Sequence, residues 1–250
     1  MLIRPASPGG TSECCAVAVM AKASNPGQTK TRLSPPLTPN QAAALNTAFL
    51  ADISANLELA ARETNLARFV AFGPPQSVAF FKALVGAEVG LLEAWLPNLG
   101  DCLLYAVQSL LDLGYGAACV LNSDSPTLPT AVLVAAVEAL QRKGDRIVLG
   151  PTTDGGYYLL GVKRSHRRLF EDIAWSTSRV AEQTLQRAAE LGLEAVLLPP
   201  WYDVDDAATL RLLADETLAG QAFSAEHRSF TAARSAALLH AYWPLRADSP

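Results

Sequence analysis

The sequence predicts an α/β protein: a mostly parallel sheet covered by helices on both faces. Three observations carry this reading. Apolar runs of strand length recur along the chain, and segments with helical period separate them. The 250 residues are 50% hydrophobic, enough for a full core in a chain of this size. Such alternation requires parallel strands joined by crossover helices.

In chain order, the first strand is expected at Ala16–Met20, following a Pro-, Gly- and Ser-rich start read as a flexible leader over residues 1–14. A helix follows from about Gln41 to Thr64, where Leu45, Phe49, Ile53 and Leu57 repeat every fourth residue. The second strand is Arg68–Phe72. The next helix, Asp101–Leu113, places Leu103, Leu104, Val107, Leu110 and Leu111 on one face. After a strand at Ala117–Asn122, Thr130 is the expected N-cap of a helix carrying Val132, Leu133, Ala136, Val137 and Leu140. Strands at Arg146–Leu149 and Tyr157–Val162 precede a helix that starts near Ser176–Ser178 and stops at Gly192, a good C′ residue. A strand at Glu194–Leu198 leads to a helix containing Leu210, Leu212 and Leu213. The segment Thr231–Trp243 reads as a last amphipathic helix that packs on the body or on a second copy, as in a homodimer. Without repeats or low-complexity linkers, one domain is expected over 15–218, with a helical extension over 219–250.

Composition narrows the function. With 24 acidic and 20 basic side chains, the net charge of −4 argues against a broad nucleic-acid-binding face. No apolar run approaches the roughly 20 residues of a membrane span. Cys14, Cys15, Cys102 and Cys119 lack C-x-x-C spacing and read as reduced thiols of a cytoplasmic protein.

In an open parallel sheet, ligands bind beyond the carboxyl ends of the strands. After the first strand, Lys22, Lys30 and Arg32 lie on a loop containing Pro26 and Gly27, with no acid among them. Such a loop suits a polyphosphate, although a solvated surface loop explains it equally well. It is not a P-loop, since Thr29 rather than glycine precedes Lys30. Asp124, in Ser123-Asp124-Ser125-Pro126, stands where a carboxylate can hold Mg²⁺ or Mn²⁺; the alternative is an Asx-type turn. Asp154-Gly155-Gly156 reads first as a hairpin turn and second as a place where a ligand approaches backbone. Asp203, Asp205 and Asp206 repel one another unless a cation or hydrogen bonds offset them. A helix cap at Asp205 or Asp206 accounts for only one of the three. Trp175-Ser176-Thr177 offers amides and hydroxyls to an anion, or simply caps a helix.

Taken in order, these segments resemble a bacterial family of uncharacterised proteins with the nucleotide-diphospho-sugar transferase fold (GT-A type), often labelled glycosyltransferases of the arsenosugar-biosynthesis type. The match runs through Lys22, Pro26-Gly27, Lys30-Thr31-Arg32-Leu33, Leu99-Gly100-Asp101, Ser123-Asp124-Ser125-Pro126, Gly150-Pro151, Asp154-Gly155-Gly156-Tyr157-Tyr158, Trp175-Ser176-Thr177 and Asp203-Val204-Asp205. The K-T-R-L segment is also distantly similar to phospholactate guanylyltransferases.

The resemblance implies a Rossmann-like three-layer sandwich. It places the donor nucleotide and its phosphates on Lys22, Gly27, Lys30, Thr31, Arg32 and Asn122. Asp124 and Asp154 would be catalytic, and a Mg²⁺ or Mn²⁺ ion would sit on Asp124, Asp203 and Asp205. Gly155, Gly156, Tyr157, Trp175 and Ser176 would border a small-molecule acceptor. Two positions depart from the family. Asn122 and Ser125 replace a glycine and a cysteine around the aspartate, and Leu96-Pro97-Asn98 stands where the family has a glutamine. The expected activity is metal-dependent glycosyl transfer from a nucleotide-sugar. The alternatives are guanylyltransferase-like nucleotidyl transfer from a nucleoside triphosphate, with pyrophosphate leaving, and nucleotide binding without turnover.

Overall fold

The computed structural model of the chain describes residues 1–5 and 12–243. Its strands are β1 (Leu2–Ile3), β2 (Cys15–Lys22), β3 (Leu66–Gly73), β4 (Gly90–Glu93), β5 (Ala117–Leu121), β6 (Arg146–Pro151), β7 (Tyr157–Val162) and β8 (Glu194–Leu197). The helices are α1 (Pro39–Glu63), α2 (Val78–Leu84), α3 (Leu99–Asp112), α4 (Thr130–Gln141), α5 (Val180–Glu190), α6 (Ala207–Ala219) and α7 (Ala233–Tyr242). All the strands join one eight-stranded sheet in the order β1-β4-β3-β2-β5-β7-β6-β8.

The expected three-layer α/β architecture is present. Alternation along β2 shows why: Cys15, Val17, Val19 and Ala21 enter one core layer, while Ala16 and Ala18 enter the other. The first layer meets apolar faces of α1, α2, α4, α6 and α7, and the second meets α3 and α5. Small residues on the second face (Ala16, Ala18, Ala71, Ala118) bring the α3 residues Leu103, Ala106, Val107 and Leu110 close to the sheet.

The sheet is parallel through β4, β3, β2 and β5 and again between β6 and β8, but β7 runs antiparallel to both its neighbours. The β6–β7 connection is thus a hairpin, as Asp154-Gly155-Gly156 first suggests. Because β7 is reversed, its beginning lies at the same sheet edge as the carboxyl end of β5. The turn therefore lies at the same end of the sheet as the segment after β5.

Several local expectations are corrected. Thr130 does not cap α4; its hydroxyl donates to Asn56 Oδ1 at 2.6 Å, and Pro129 occupies the cap position. No side chain caps α5, which begins at Val180 rather than near Ser176–Ser178. The start of α1 lies before Gln41 because Thr38 and Gln41 form a capping box with Pro39 at the first turn. Leu2–Ile3, within the segment expected to be a flexible leader, pairs with Leu91–Leu92 of β4; residues 6–11 lie outside the described residues. In the extension, α7 packs on α1 of its own chain, the first of the two expected arrangements, held by buried Asp52. That carboxylate accepts from Arg234 N, Ser235 N and Ser235 Oγ at 3.1, 2.8 and 2.7 Å. Residues 244–250 of the same extension lie outside the described residues. The four cysteines are free thiols, and Cys15 and Cys119 meet across neighbouring strands at 3.7 Å.

Candidate functional site

The loop after β2 is pinned at both ends. Asn46 of α1 donates to Ser24 Oγ at 2.8 Å, and Leu33 is fully buried. Between them, Thr29 Oγ1 donates to Ala23 O at 3.1 Å and accepts from Asn25 N at 3.1 Å. Lys30 follows in a left-handed backbone conformation, with φ at 53°. This aims its side chain inward, leaving it 7% exposed. Its ammonium donates to Val204 O at 2.7 Å and to Asp205 Oδ1 at 2.8 Å, and pairs with Asp124 Oδ1 at 2.8 Å. Burial alone would make the ammonium easier to deprotonate, but Asp124 and Asp205 outweigh it and hold its pKa above the usual value.

The cations of this loop therefore do not form one patch. Lys30 is turned toward carboxylates, while Lys22 and Arg32 are exposed. Lys22 Nζ sits 5.7 Å from the ring centre of Trp95, an exposed side chain just after β4. The Trp95 indole lies against Gly73, where a Cβ would come within 2.0 Å of it.

Asp124 is brought to Asp205 by backbone. The chain leaving β8 turns back along the sheet edge, with Trp201 N bonding Pro151 O at 3.1 Å and Val204 N bonding Asp124 O at 2.8 Å. Trp201 and Tyr202 anchor this return from beneath, both fully buried. The Tyr202 hydroxyl accepts from Thr127 Oγ1 at 3.0 Å and donates to Glu216 Oε2 at 2.5 Å, and Glu216 also accepts from Ser229 Oγ. Nothing in the sequence pattern singles out Thr127 or Glu216; only their meeting around a buried phenol does.

The Asx-type reading belongs to Asn122, not Asp124. Asn122 Nδ2 donates to Ser125 Oγ at 3.2 Å, and its Oδ1 stands 3.5 Å from Asp124 N, leaving the Asp124 carboxylate to Lys30 and to Ser123 Oγ, which donates to Oδ1 at 3.2 Å. Of the late aspartates, Asp206 caps α6, accepting from Ala208 N and Thr209 N at 3.0 and 2.9 Å. Asp203 and Asp205 remain for the site. Asp154 is fixed inside the hairpin by Thr152 Oγ1 at 2.5 Å and Gly156 N at 2.9 Å.

Asp203 has no such cation among the described residues. Burial, then the charges of Asp154, Asp205 and Asp124, push its pKa up to about 7. An unfolded aspartate titrates near about 4. The folded protein therefore keeps a proton that the unfolded chain releases. The resulting stabilisation is complete below about pH 4 and is lost as pH rises through about 7. In chelator, Asp203→Asn should gain stability over the wild type across this window by about 1–2 kcal/mol, allowing for solvent screening. Thermal melts should show the Tm gap widening by about 2–8 °C between pH 4 and 8. A gap that stays constant with pH would refute the placement.

On the other side of the hairpin, the Tyr157 hydroxyl is buried with no hydrogen-bond partner among the described residues, and burial raises its pKa. Trp175 packs against Gly100, where a Cβ would come within 2.8 Å of its Nε1. Ser176 is exposed with φ at 63°. The departing segment Leu96-Pro97-Asn98 does a structural job at its end: Asn98 caps α3, accepting from Asp101 N at 2.8 Å.

A loop, a strand end, a hairpin and a returning segment thus converge at one sheet edge. Residues 56–177 match the DUF2064 family. That family is described as an uncharacterized protein conserved in bacteria. The chain is similar to a candidate nucleotide-diphospho-sugar transferase from Desulfovibrio desulfuricans, at 25% identity with a TM-score of 0.77, covering 93% of this chain and 95% of that one. It shares its fold with a cytidylyltransferase from Leptospira borgpetersenii (11% identity, TM-score 0.51, covering 91% and 93%). It also shares it with a 4-diphosphocytidyl-2C-methyl-D-erythritol synthase from Anaerococcus prevotii (7% identity, TM-score 0.50, covering 80% and 94%). No curated protein sequence matches the chain. The fold is that of nucleotide-diphospho-sugar transferases, and it is also used by nucleotidyl transferases. Among the described residues, no helix is long and apolar enough to cross a membrane.

Among the described residues, no three His, Cys, Asp or Glu side chains converge tightly enough to enclose a metal ion by themselves. The donor set nevertheless fits Mg²⁺ or Mn²⁺ of the kind shared with a substrate. Such ions take one or two protein carboxylates and complete their shell with phosphate oxygens and water. Asp124 and Asp205 are all-oxygen donors at one point, with Asp203 beside them.

Proposed function

We propose that the chain is a metal-dependent glycosyltransferase that takes a sugar from a nucleotide-sugar and passes it to a small-molecule acceptor. The observation that carries this reading is the meeting of Asp124 and Asp205, from distant parts of the chain, on one ammonium at the carboxyl edge of the sheet. Asp124, Asp205 and Asp203 would hold Mg²⁺ or Mn²⁺. Bound there, the ion would offset charge on the departing nucleoside diphosphate.

The protein's own part is positioning and charge placement. Lys22 and Arg32, exposed on either side of Lys30, are available to diphosphate oxygens, with Gly27 and Thr31 between them and Asn122 at the strand end. Asp154 is held rigidly enough to accept a proton from an attacking hydroxyl. Gly155 and Gly156 let an acceptor approach backbone. Tyr157, at the start of β7, would back the acceptor side of the site, and Trp175 and Ser176 would supply an adjoining wall. A second reading, nucleotidyl transfer, draws on Lys22 and Arg32 together. Exposed cations on both sides of Lys30 also suit a triphosphate.

The deciding experiment incubates the protein with Mn²⁺ and a panel of nucleotide-sugars and nucleoside triphosphates, following thermal stabilisation and products. Bound ligand raises Tm through the native state. Nucleoside diphosphate released from a nucleotide-sugar supports glycosyl transfer, while pyrophosphate released from a triphosphate replaces it with the second reading. Binding without either product points to a non-catalytic nucleotide-binding protein. Absence of stabilisation by any nucleotide rejects all three.

A further inference from the structure

The Lys30 ammonium has three N–H donors, and each has an acceptor: Val204 O at 2.7 Å, Asp205 Oδ1 at 2.8 Å and Asp124 Oδ1 at 2.8 Å. The Phe49 ring, 5.8 Å from Nζ, closes the apolar side. In this state Lys30 has no donor left for a phosphate. Equally, Asp124 and Asp205 offer a divalent ion their charge only alongside a fixed positive charge at hydrogen-bond distance from both. At such distances the fixed ammonium opposes an incoming cation strongly, because little solvent lies between them to screen the charges.

The backbone around Lys30 cannot relieve this by moving away. The bonds of Thr29 to Ala23 and Asn25 precede it, and buried Leu33 follows it in a short 3-10 turn. The long side chain is the part that can move. A nucleotide's phosphates, arriving between Lys22 and Arg32, would give the ammonium other oxygens to donate to.

We infer that Lys30 is the resident counter-cation of the Asp124–Asp205 pair and a positioning residue that makes metal loading depend on the nucleotide. Without phosphate, Lys30 neutralises the carboxylates and keeps Mg²⁺ or Mn²⁺ affinity low. With phosphate, Lys30 turns to the phosphate oxygens and the carboxylates become available to the ion. This inference rests on the proposed nucleotide-dependent transferase reading, and it adds an order of events to it.

The test is a Mn²⁺ titration without nucleotide, followed by the electron paramagnetic resonance of free Mn²⁺. Lys30→Met should bind Mn²⁺ at least about tenfold more tightly than the wild type, because the competing charge is gone. Lys30→Arg, which keeps the charge, should stay within about twofold of the wild type. Equal or weaker binding by Lys30→Met overturns the inference. Should Lys30→Met fail to fold by circular dichroism, Lys30→Gln, which keeps a neutral hydrogen-bond donor, takes its place in the same titration. It too should bind Mn²⁺ at least about tenfold more tightly than the wild type, and equal or weaker binding overturns the inference. These readouts need no nucleotide, so their failure is distinct from failure of the transferase reading, which shows instead as wild-type protein that no nucleotide stabilises.

Discussion

On the proposed glycosyltransferase reading, Asp124→Ala is expected to abolish metal-dependent transfer, lowering the rate by about 10³-fold, while leaving the fold intact. The size follows from its place. A carboxylate that helps hold an ion against a leaving diphosphate supplies about 4 kcal/mol of transition-state stabilisation, and each 1.4 kcal/mol is about tenfold. The fold survives because Asp124 contributes to it through its backbone. Its carbonyl accepts from Val204 N at 2.8 Å whatever the side chain. Lys30 keeps Asp205 and the Val204 carbonyl, so no buried charge is stranded. Thermal melts in chelator should therefore place the variant within about 2–4 °C of the wild type, the equivalent of about 1 kcal/mol. Mn²⁺ should no longer increase nucleotide affinity. Unchanged Mn²⁺ dependence in a folded Asp124→Ala protein would remove Asp124 from the metal site.

The sheet is readable from sequence where a strand forms a long apolar run. Apolar runs such as Cys15–Ala21 and Ala117–Leu121 leave few alternatives. The strands and helix that escaped are short: Leu2–Ile3, Gly90–Glu93 and Val78–Leu84 give too few residues for a period to show. Strand direction was harder still. Nothing in Tyr157–Val162 distinguishes an antiparallel β7, except the turn residues before it, whose hairpin reading proved right.

At the site, sequence supplied the residues and structure supplied their pairing. The positions around Asp124, Asp154 and Asp203–Asp205 stood out because acids at strand ends need an explanation. That Asp124 and Asp205 share Lys30 did not, since residues 30, 124 and 205 have no common local pattern. Along the loop, Lys22, Lys30 and Arg32 form one group in sequence. In space a left-handed φ at Lys30 turns one of them inward and leaves the others exposed. Similarly, Thr130 looked like a cap because it opens a helix, yet a buried Asn56 on another helix claims its hydroxyl.

The hairpin carries the second large effect. Gly155→Ala should cost about 3 kcal/mol or more and lower Tm by roughly 6–12 °C, with loss of whatever activity depends on Asp154. Two independent penalties meet at this residue. Its φ is +92°, which a side chain rarely adopts, and a Cβ there would stand 2.1 Å from the backbone oxygen of Ser178. That oxygen cannot swing aside like the tip of a side chain. The Gly155 carbonyl also accepts from Ala181 N at 3.0 Å, so moving the hairpin pulls on the first turn of α5. Displacement would carry along Asp154, whose carboxylate is set by Thr152 and Gly156 within the same turn. Gly192→Ala is the control. Its φ of +66° is also in the left-handed region, but among the described residues no atom beyond its chain neighbours lies within 4 Å of the added Cβ. It should cost only about 1 kcal/mol, the lower end of the penalty for an unfavourable backbone angle. Urea unfolding of the two variants side by side isolates the contact from the angle. Equal losses would show that the hairpin and the entrance to α5 are not locked together, and that Asp154 is positioned by its turn alone.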